Sequence, residues 1–350
     1  MNRFMEEHRR LYGDFEVIDF VDTDAIERLR GNLTSDVPLK VNWTWEYGSE
    51  VAELRNLYEK GKVNQWNAIT DLDWDVPVSK DDWVVSPETT LMGQMCAAMG
   101  MDEATQKAAA HEELAFMLSQ LLHGEQAALQ LCGQLTNMCE NLDSKSYAAS
   151  QVIDEARHIE VFAKFCADKL GTIYPIMPAL KFLLDELLSV ESVQKKMLGM
   201  QCLFEGTAVG IMDTLRRDSR NSLLSDMLRR VEQDEARHAA FGVLSMRRVV
   251  ADAEPEEMAD MEDWGFTILE AVQSSLGTEI LRTLGPKYGF SVEDVIEPVL
   301  ESPVYQQLTR EIFTHTVVPN LTRLGLITER TDHLWKKAGM SGSISSEQAA

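Results

Sequence analysis

Four glutamates and two histidines recur at fixed spacing in this chain, and that spacing constrains the fold more than any other feature. Glu125, in HGEQAAL, is followed by Glu155 and His158 in DEARH. Glu205, in LFEGTAVG, is followed at the same interval by Glu235 and His238 in a second DEARH. Every member of the second set is displaced from its counterpart by one constant period. A Glu and a His three positions apart share one face of a helix. The interval from Glu125 to Glu155 suffices for a helix, a turn and a returning helix, so Glu125 can come back beside Glu155. Two such hairpins packed face to face converge all six side chains inside one bundle.

A single Glu-x-x-His is ordinary surface sequence. Two identical copies are not, when each is preceded by a glutamate embedded among apolar residues: Leu121, Leu122, Ala127 and Ala128 around Glu125, and Leu203, Phe204, Ala208 and Val209 around Glu205. Buried carboxylates without counter-charge cost several kcal/mol each. Two divalent cations supply that charge, and mixed carboxylate and imidazole donors suit iron or manganese rather than copper or structural zinc. Four-helix bundles hold dinuclear iron and manganese with this donor set, a Glu from each of two helices and a Glu-x-x-His from each of the other two. The expected cofactor is two iron ions, or a manganese/iron pair. Asp154 and Asp234, which precede the ligand glutamates, are expected to orient His238 and His158 across the bundle, since metal-bound imidazoles donate their second N–H to a carboxylate or carbonyl. Arg157 and Arg237 should neutralise them.

The rest of the sequence fits a helical protein. Leu114, Met117, Leu118, Leu121, Leu122, Leu129 and Leu131 make an apolar stripe at three- and four-residue spacing. Helices are expected over 144–170, ending at Gly171, and over 192–217, 222–250, 256–284, 303–324 and 328–338. Residues 1–100 hold most of the tryptophans and read as an arm with one or two helices wrapping the bundle. Residues 101–340 read as the helical domain, and 341–350 as a frayed tail. The fold class is all-α: a four-helix bundle with additional helices and an N-terminal arm.

Composition narrows the partners. Lys+Arg at 33 against Asp+Glu at 57 gives a net charge of -24, and such a surface repels phosphate backbones and anionic lipid. Nucleic-acid and membrane roles are not expected. Five spread cysteines without a C-x-x-C pair fit reduced thiols and a cytoplasmic location. No stretch reads as a signal peptide or membrane helix.

HGEQAAL, LFEGTAVG and the two DEARH motifs resemble the ferritin-like diiron carboxylate superfamily, over roughly residues 100–250. YEKGKVNQWNAITDLDW is similar to the segment preceding the bundle in ribonucleotide reductase small subunits and their ligand-binding oxidase relatives. The resemblance implies an O2-activating diiron oxidase or oxygenase that hydroxylates, N-oxygenates or otherwise oxidises a small, mostly apolar substrate. The sequence holds no flavin, nicotinamide or iron–sulfur motif, so electrons are expected from an external donor or from the substrate, with a homodimer as a candidate assembly. The alternative is a radical-generating or ligand-binding subunit like the reductase small subunits. Against a radical role, the reductases' tyrosine position carries Phe162, and no tyrosine follows Tyr305. The positions of the Val–Tyr crosslink in the ligand-binding oxidases carry Ala127 and Met200. The resemblance also places Val231 where arylamine N-oxygenases carry an additional metal-ligating His, which argues against that subfamily.

A substrate pocket is expected one to two turns along the ligand helices, lined by Ala128, Leu129, Cys132, Phe162, Cys166, Ala208, Val209, Met212, Gly242 and Met246. The repeat pairs Phe162 with Gly242, so one half fills the space that the other leaves open. Tyr147, two turns before Glu155, is placed on the metal-facing side as a source of an electron or a hydrogen bond. His111 and His123 fall off the ligand register and read as capping or surface residues.

Overall fold

Short connections decide the topology. In the computed structural model, which describes residues 37, 39–273 and 276–340, helix α3 (Glu103–Met138) and helix α4 (Leu142–Phe165) are joined by a tight turn and pack as an antiparallel hairpin. Helices α7 (Glu205–Asp218) and α8 (Ser222–Asp252) are joined in the same way. Asn141 and Asn221, separated by the same repeat period as the ligand motifs, cap α4 and α8 by accepting from the backbone N–H groups of Ser144 and Leu224. An N-cap side chain of this kind satisfies one of the free N–H groups of a helix's first turn. Asp102 does the same for α3 through Thr105.

Before them lie α1 (Ala52–Val63), packed on α4 and α8, and α2 (Leu91–Ala98), packed on α3. The α4 helix continues into a π-helical turn, Cys166–Leu170, that stops at Gly171 with φ +73°; only glycine takes that backbone conformation readily. The crossover to the second hairpin consists of α5 (Pro178–Ser189), α6 (Val193–Met197) and a second π-helical segment, Leu198–Phe204, that runs directly into α7. Helices α9 (Pro255–Gln273), α10 (Leu276–Leu284), α11 (Val292–Leu300), α12 (Pro303–His315), α13 (Val317–Arg323) and α14 (Asp332–Lys337) follow. Among the described residues there is no strand, only one antiparallel bridge between Val85 and Ser219. The fold is a ferritin-like four-helix bundle, formed by α3, α4, α7 and α8 and covered by additional helices.

Several expectations change. Helix α5 is not among the expected helices, since Pro175 and Pro178 follow Gly171 closely, yet Pro178 sits at the first helical position, where a missing N–H is harmless. The expected 256–284 helix ends at Gln273 and a new one begins at Leu276, and the expected 303–324 helix breaks at Thr316. The tail 341–350 and the arm's residues 1–36 lie outside the described residues. No described helix is long and apolar enough to cross a membrane.

Candidate metal centre

The six repeat residues meet in the bundle interior, with exposures of 4% for Glu125, 1% for Glu205 and 0% for the other four. They form two overlapping groups, Glu125, Glu155, His158 and Glu235, and Glu155, Glu205, Glu235 and His238. Within each group the candidate ligand atoms lie within 4.8 Å of one another. Glu155 and Glu235 belong to both, so the arrangement offers two adjacent ion positions with two shared carboxylates.

Both imidazoles turn the same way. His158 Nδ1 faces Glu125, Glu155 and Glu235 at 3.4, 3.2 and 3.0 Å. His238 Nδ1 faces Glu235 at 2.7 Å and Glu155 at 3.4 Å. The opposite nitrogens reach across the bundle: His158 Nε2 lies 3.2 Å from Asp234 Oδ2, and His238 Nε2 lies 3.3 Å from Asp154 Oδ2. With Nε2–H donated to an aspartate, each Nδ1 presents a lone pair toward carboxylate oxygens, a repulsive arrangement that a cation between them resolves. Glu155 Oε2 and Glu235 Oε1 are buried and accept no hydrogen bond. A pair of divalent cations fits this donor set.

The electrostatics agree. Burial, the largest cause, pushes the Glu125 and Glu205 carboxyls well above the ordinary range, with the Glu235 and Glu155 charges adding to it. Burial acts in the same sense on Glu235, but His238 and His158 hold it well below that range. Burial opposes protonation of His238, yet Glu235 and Glu155 push it up to about 10. Protons and metal ions therefore compete for one cluster.

A second charged layer surrounds the first. Arg157 and Arg237 each bridge both aspartates, Asp154 and Asp234. The sequence did not reveal two further partners from the segment after α1. Gln65 donates to Asp154 at 3.1 Å and accepts from Arg157, while Trp66 Nε1 donates to Asp234 at 2.8 Å under the Arg157 guanidinium. The NQWNA stretch that marked this segment as family-like was the available signal.

Two buried amides were also missed. Gln151 Nε2 donates to Glu155 at 2.9 Å and Glu205 at 3.1 Å, and Gln201 Nε2 donates to Gln151 Oε1 at 3.0 Å. Each lies one turn before a ligand glutamate, on the same helical face, which is the pattern that could have exposed them.

The expected pocket residues are distributed differently. Ala208 lines an apolar cavity. Gly242 does not open space: a Cβ there would stand 2.5 Å from Gln201 Cβ and 3.0 Å from Cys202 Sγ, so it is a contact where α8 meets the π-helical segment. Ala128, Phe162, Cys166, Met212 and Met246 are buried in the core, and Leu129 and Val209 partly so. Cys132 Sγ lies 4.0 Å from Glu155 and beside Gln201. Much of this cavity's wall comes from α5, α9 and α12, outside the helices that carry the six repeat residues. Tyr147 is buried against Phe241, with ring centroids 4.6 Å apart, and its hydroxyl has no hydrogen-bond partner. His123 is a half-buried residue bonded to the Tyr174 carbonyl, not a surface one.

A buried cluster of four glutamates and two histidines on four helices defines a dinuclear carboxylate bundle protein. The family model described as P-aminobenzoate N-oxygenase AurF matches residues 49–325, and the chain belongs to that family. It is thus an enzyme of the oxygenase class. This overturns the expectation drawn from Val231, which is a fully buried core residue one turn before Glu235 and offers no ligand atom. No curated protein is significantly similar in sequence. Solved structures similar to this chain include an R2-like ligand-binding oxidase with aerobically reconstituted metal cofactor after photoconversion, 17% identical with a TM-score of 0.45, covering 81% of this chain and 99% of that one. Another is a variant of that oxidase with a non-activated Mn/Mn cofactor, 16% identical with a TM-score of 0.47, covering 81% of this chain and 98% of that one.

Proposed function

We propose that the chain is an O2-dependent diiron oxygenase that oxidises a small, mostly apolar substrate, with an amine nitrogen as the favoured position of attack. The carrying observation is the inward-facing pair of Nδ1 atoms among four buried carboxylates, two of them shared. Glu125, Glu155, His158 and Glu235 would hold one ion, and Glu205, His238 and the shared pair the other. When bound, the two ions supply the redox electrons and Lewis acidity for O2 chemistry.

The protein's own part is positional. Asp154 and Asp234 fix the imidazole tautomers, and Arg157 and Arg237 balance the two aspartates. Gln151 holds Glu155 and Glu205 from one side. Apolar walls exclude water from the approach to the cluster. With no flavin, nicotinamide or iron–sulfur motif in the sequence, the electrons are assigned to a separate donor or to the substrate itself. The five cysteines are all free and buried, in keeping with a reducing, cytoplasmic setting.

Protein loaded with ferrous iron without oxygen should bind about two ions per chain, and His158→Ala and His238→Ala should each lose at least one. Exposure to 18O2 with a chemical reductant and a panel of arylamines and alkylamines should put the isotope into a hydroxylamine, nitroso or nitro product. Full metal loading in both variants sinks the site; absence of labelled product from every amine, with label in a carbon-hydroxylated product, replaces N-oxygenation with hydroxylation.

A further inference from the structure

Two apolar cavities, of about 70 and about 60 Å³, follow one seam away from the metal cluster. The first is walled by Leu121, one turn before Glu125, and by Phe204 and Ala208, which flank Glu205. Phe204 lies across Gly124, where a Cβ would stand 2.7 Å from its ring, so only glycine admits the ring there. The second cavity is walled by Leu114, Glu113 and Ala110 on α3 and by Thr214, Leu215 and Asp218 on α7. Met117, Ile211, Thr309 and Ile312 wall both. Along α3 and α7 these residues recede from Glu125 and Glu205 at three- and four-residue spacing, and α12 closes the seam. From Glu113 to Glu125 is roughly 18 Å of helix.

The two ends differ in what they offer a ligand. In the first cavity every polar side chain is already engaged: Gln120 with Pro175 and Met177, Thr207 with Leu203, and Thr309 with Tyr305. In the second, Thr90 is 4% exposed and its Oγ1 has no hydrogen-bond partner. Beside it are the carboxyls of Glu113, which accepts from the Leu91 and Met92 backbones, and of Asp218. No lysine or arginine lines this cavity. An added carboxylate would therefore meet two carboxyl groups and no cation.

We propose that this seam is the substrate passage, and that Thr90, Glu113 and Asp218 bind the hydrogen-bond-donating head, an amine or hydroxyl, of a slender apolar substrate. The proposal rests on reading the six-residue cluster as the catalytic centre. Each cavity is well below the ~150 Å³ that accommodates a benzene ring, so a narrow chain fits better than a broad ring system. The nitrogen that the metals oxidise is then a second group, at the end of the substrate opposite this head.

The test is calorimetric titration of the metal-loaded protein, without oxygen, with octylamine, 1-octanol and octanoate, repeated on metal-free protein. Octylamine and octanol should bind, and octanoate should bind at least about tenfold more weakly. Thr90→Val should weaken octylamine and octanol about fivefold, and Ile211→Trp, which fills the wall common to both cavities, should abolish binding of all three. No binding of octylamine, equal binding of octanoate, or unchanged octylamine affinity in Thr90→Val overturns the proposal. Because these titrations involve no turnover and do not require metal, their failure is separate from failure of metal loading or of isotope incorporation.

Discussion

The α3–α4 and α7–α8 hairpins carry the same ligands at the same spacing, yet they surround them differently. One turn before Glu155 stands Gln151; its repeat counterpart, one turn before Glu235, is Val231. One turn before Glu205 stands Gln201, and its counterpart before Glu125 is Leu121. The two amides meet on one side of the cluster, at Glu155 and Glu205. Leu121 instead joins Phe204 and Ala208 in the wall of an apolar cavity. Duplication of the six residues thus builds a symmetric candidate site for two ions, while divergence one turn away gives it a polar face and a dry face. An oxygenase needs both: carboxylates held firmly on one side, and an approach free of water on the other.

This contrast can be broken by substitution. Gln151→Leu removes the donor to two ligand carboxylates, and iron affinity should fall about 10- to 100-fold, as for other partners of metal ligands. Equilibrium metal titration checks it, and unchanged affinity would make the amide face a packing detail. A smaller loss is expected from Gly242→Ala, whose Cβ would collide with the Gln201 Cβ and approach the Gln201 backbone. Overpacking of this kind costs about 1–3 kcal/mol, measurable by urea unfolding; a neutral result would mean that α8 and the π-helical segment separate easily.

The smallest effect concerns Glu113, at the far end of the dry face, whose carboxyl burial pushes up from 4.5 to about 7. The folded protein then holds a proton there that the unfolded chain releases above the ordinary carboxylate range. The stability this confers is present at low pH and lost as pH rises through about 7. Glu113→Gln, neutral throughout, should lack that component. Unfolding at about pH 5 and about pH 7.5 should therefore show wild type losing stability relative to the variant at the higher pH, and an unchanged gap contradicts the burial account.

The convergence of the six repeat residues was legible in the sequence because a repeated period leaves them little freedom. Once two glutamates and two Glu-x-x-His pairs share a spacing, hairpin geometry places Asp154 opposite His238 and Asp234 opposite His158. The partners of that layer from outside the repeat were not legible. Gln65 and Trp66 reach Asp154 and Asp234 across 89 and 168 residues of chain, and no local period encodes such contacts. The cavity was hidden for the same reason, since α12 enters its wall from far downstream of α7. Helix α5 shows a different limit: Pro178 marks a start rather than a stop, and only the surrounding packing distinguishes the two.

The π-helical segment ahead of Glu205 sets which way this asymmetric face points. A π-helical turn accommodates one residue more than an α-helical turn, and each residue of an α-helix advances the face by about 100°. The extra residue between Leu198 and Phe204 is therefore absorbed within the turn, and α7 points about 100° away from where the same residues wound as regular helix would direct it. Wound that way, Glu205 would leave the cluster, and the cavity-facing Phe204, Ala208 and Ile211 would turn away with it, with no ligand substituted. In this stretch the winding of the helix matters as much as residue identity.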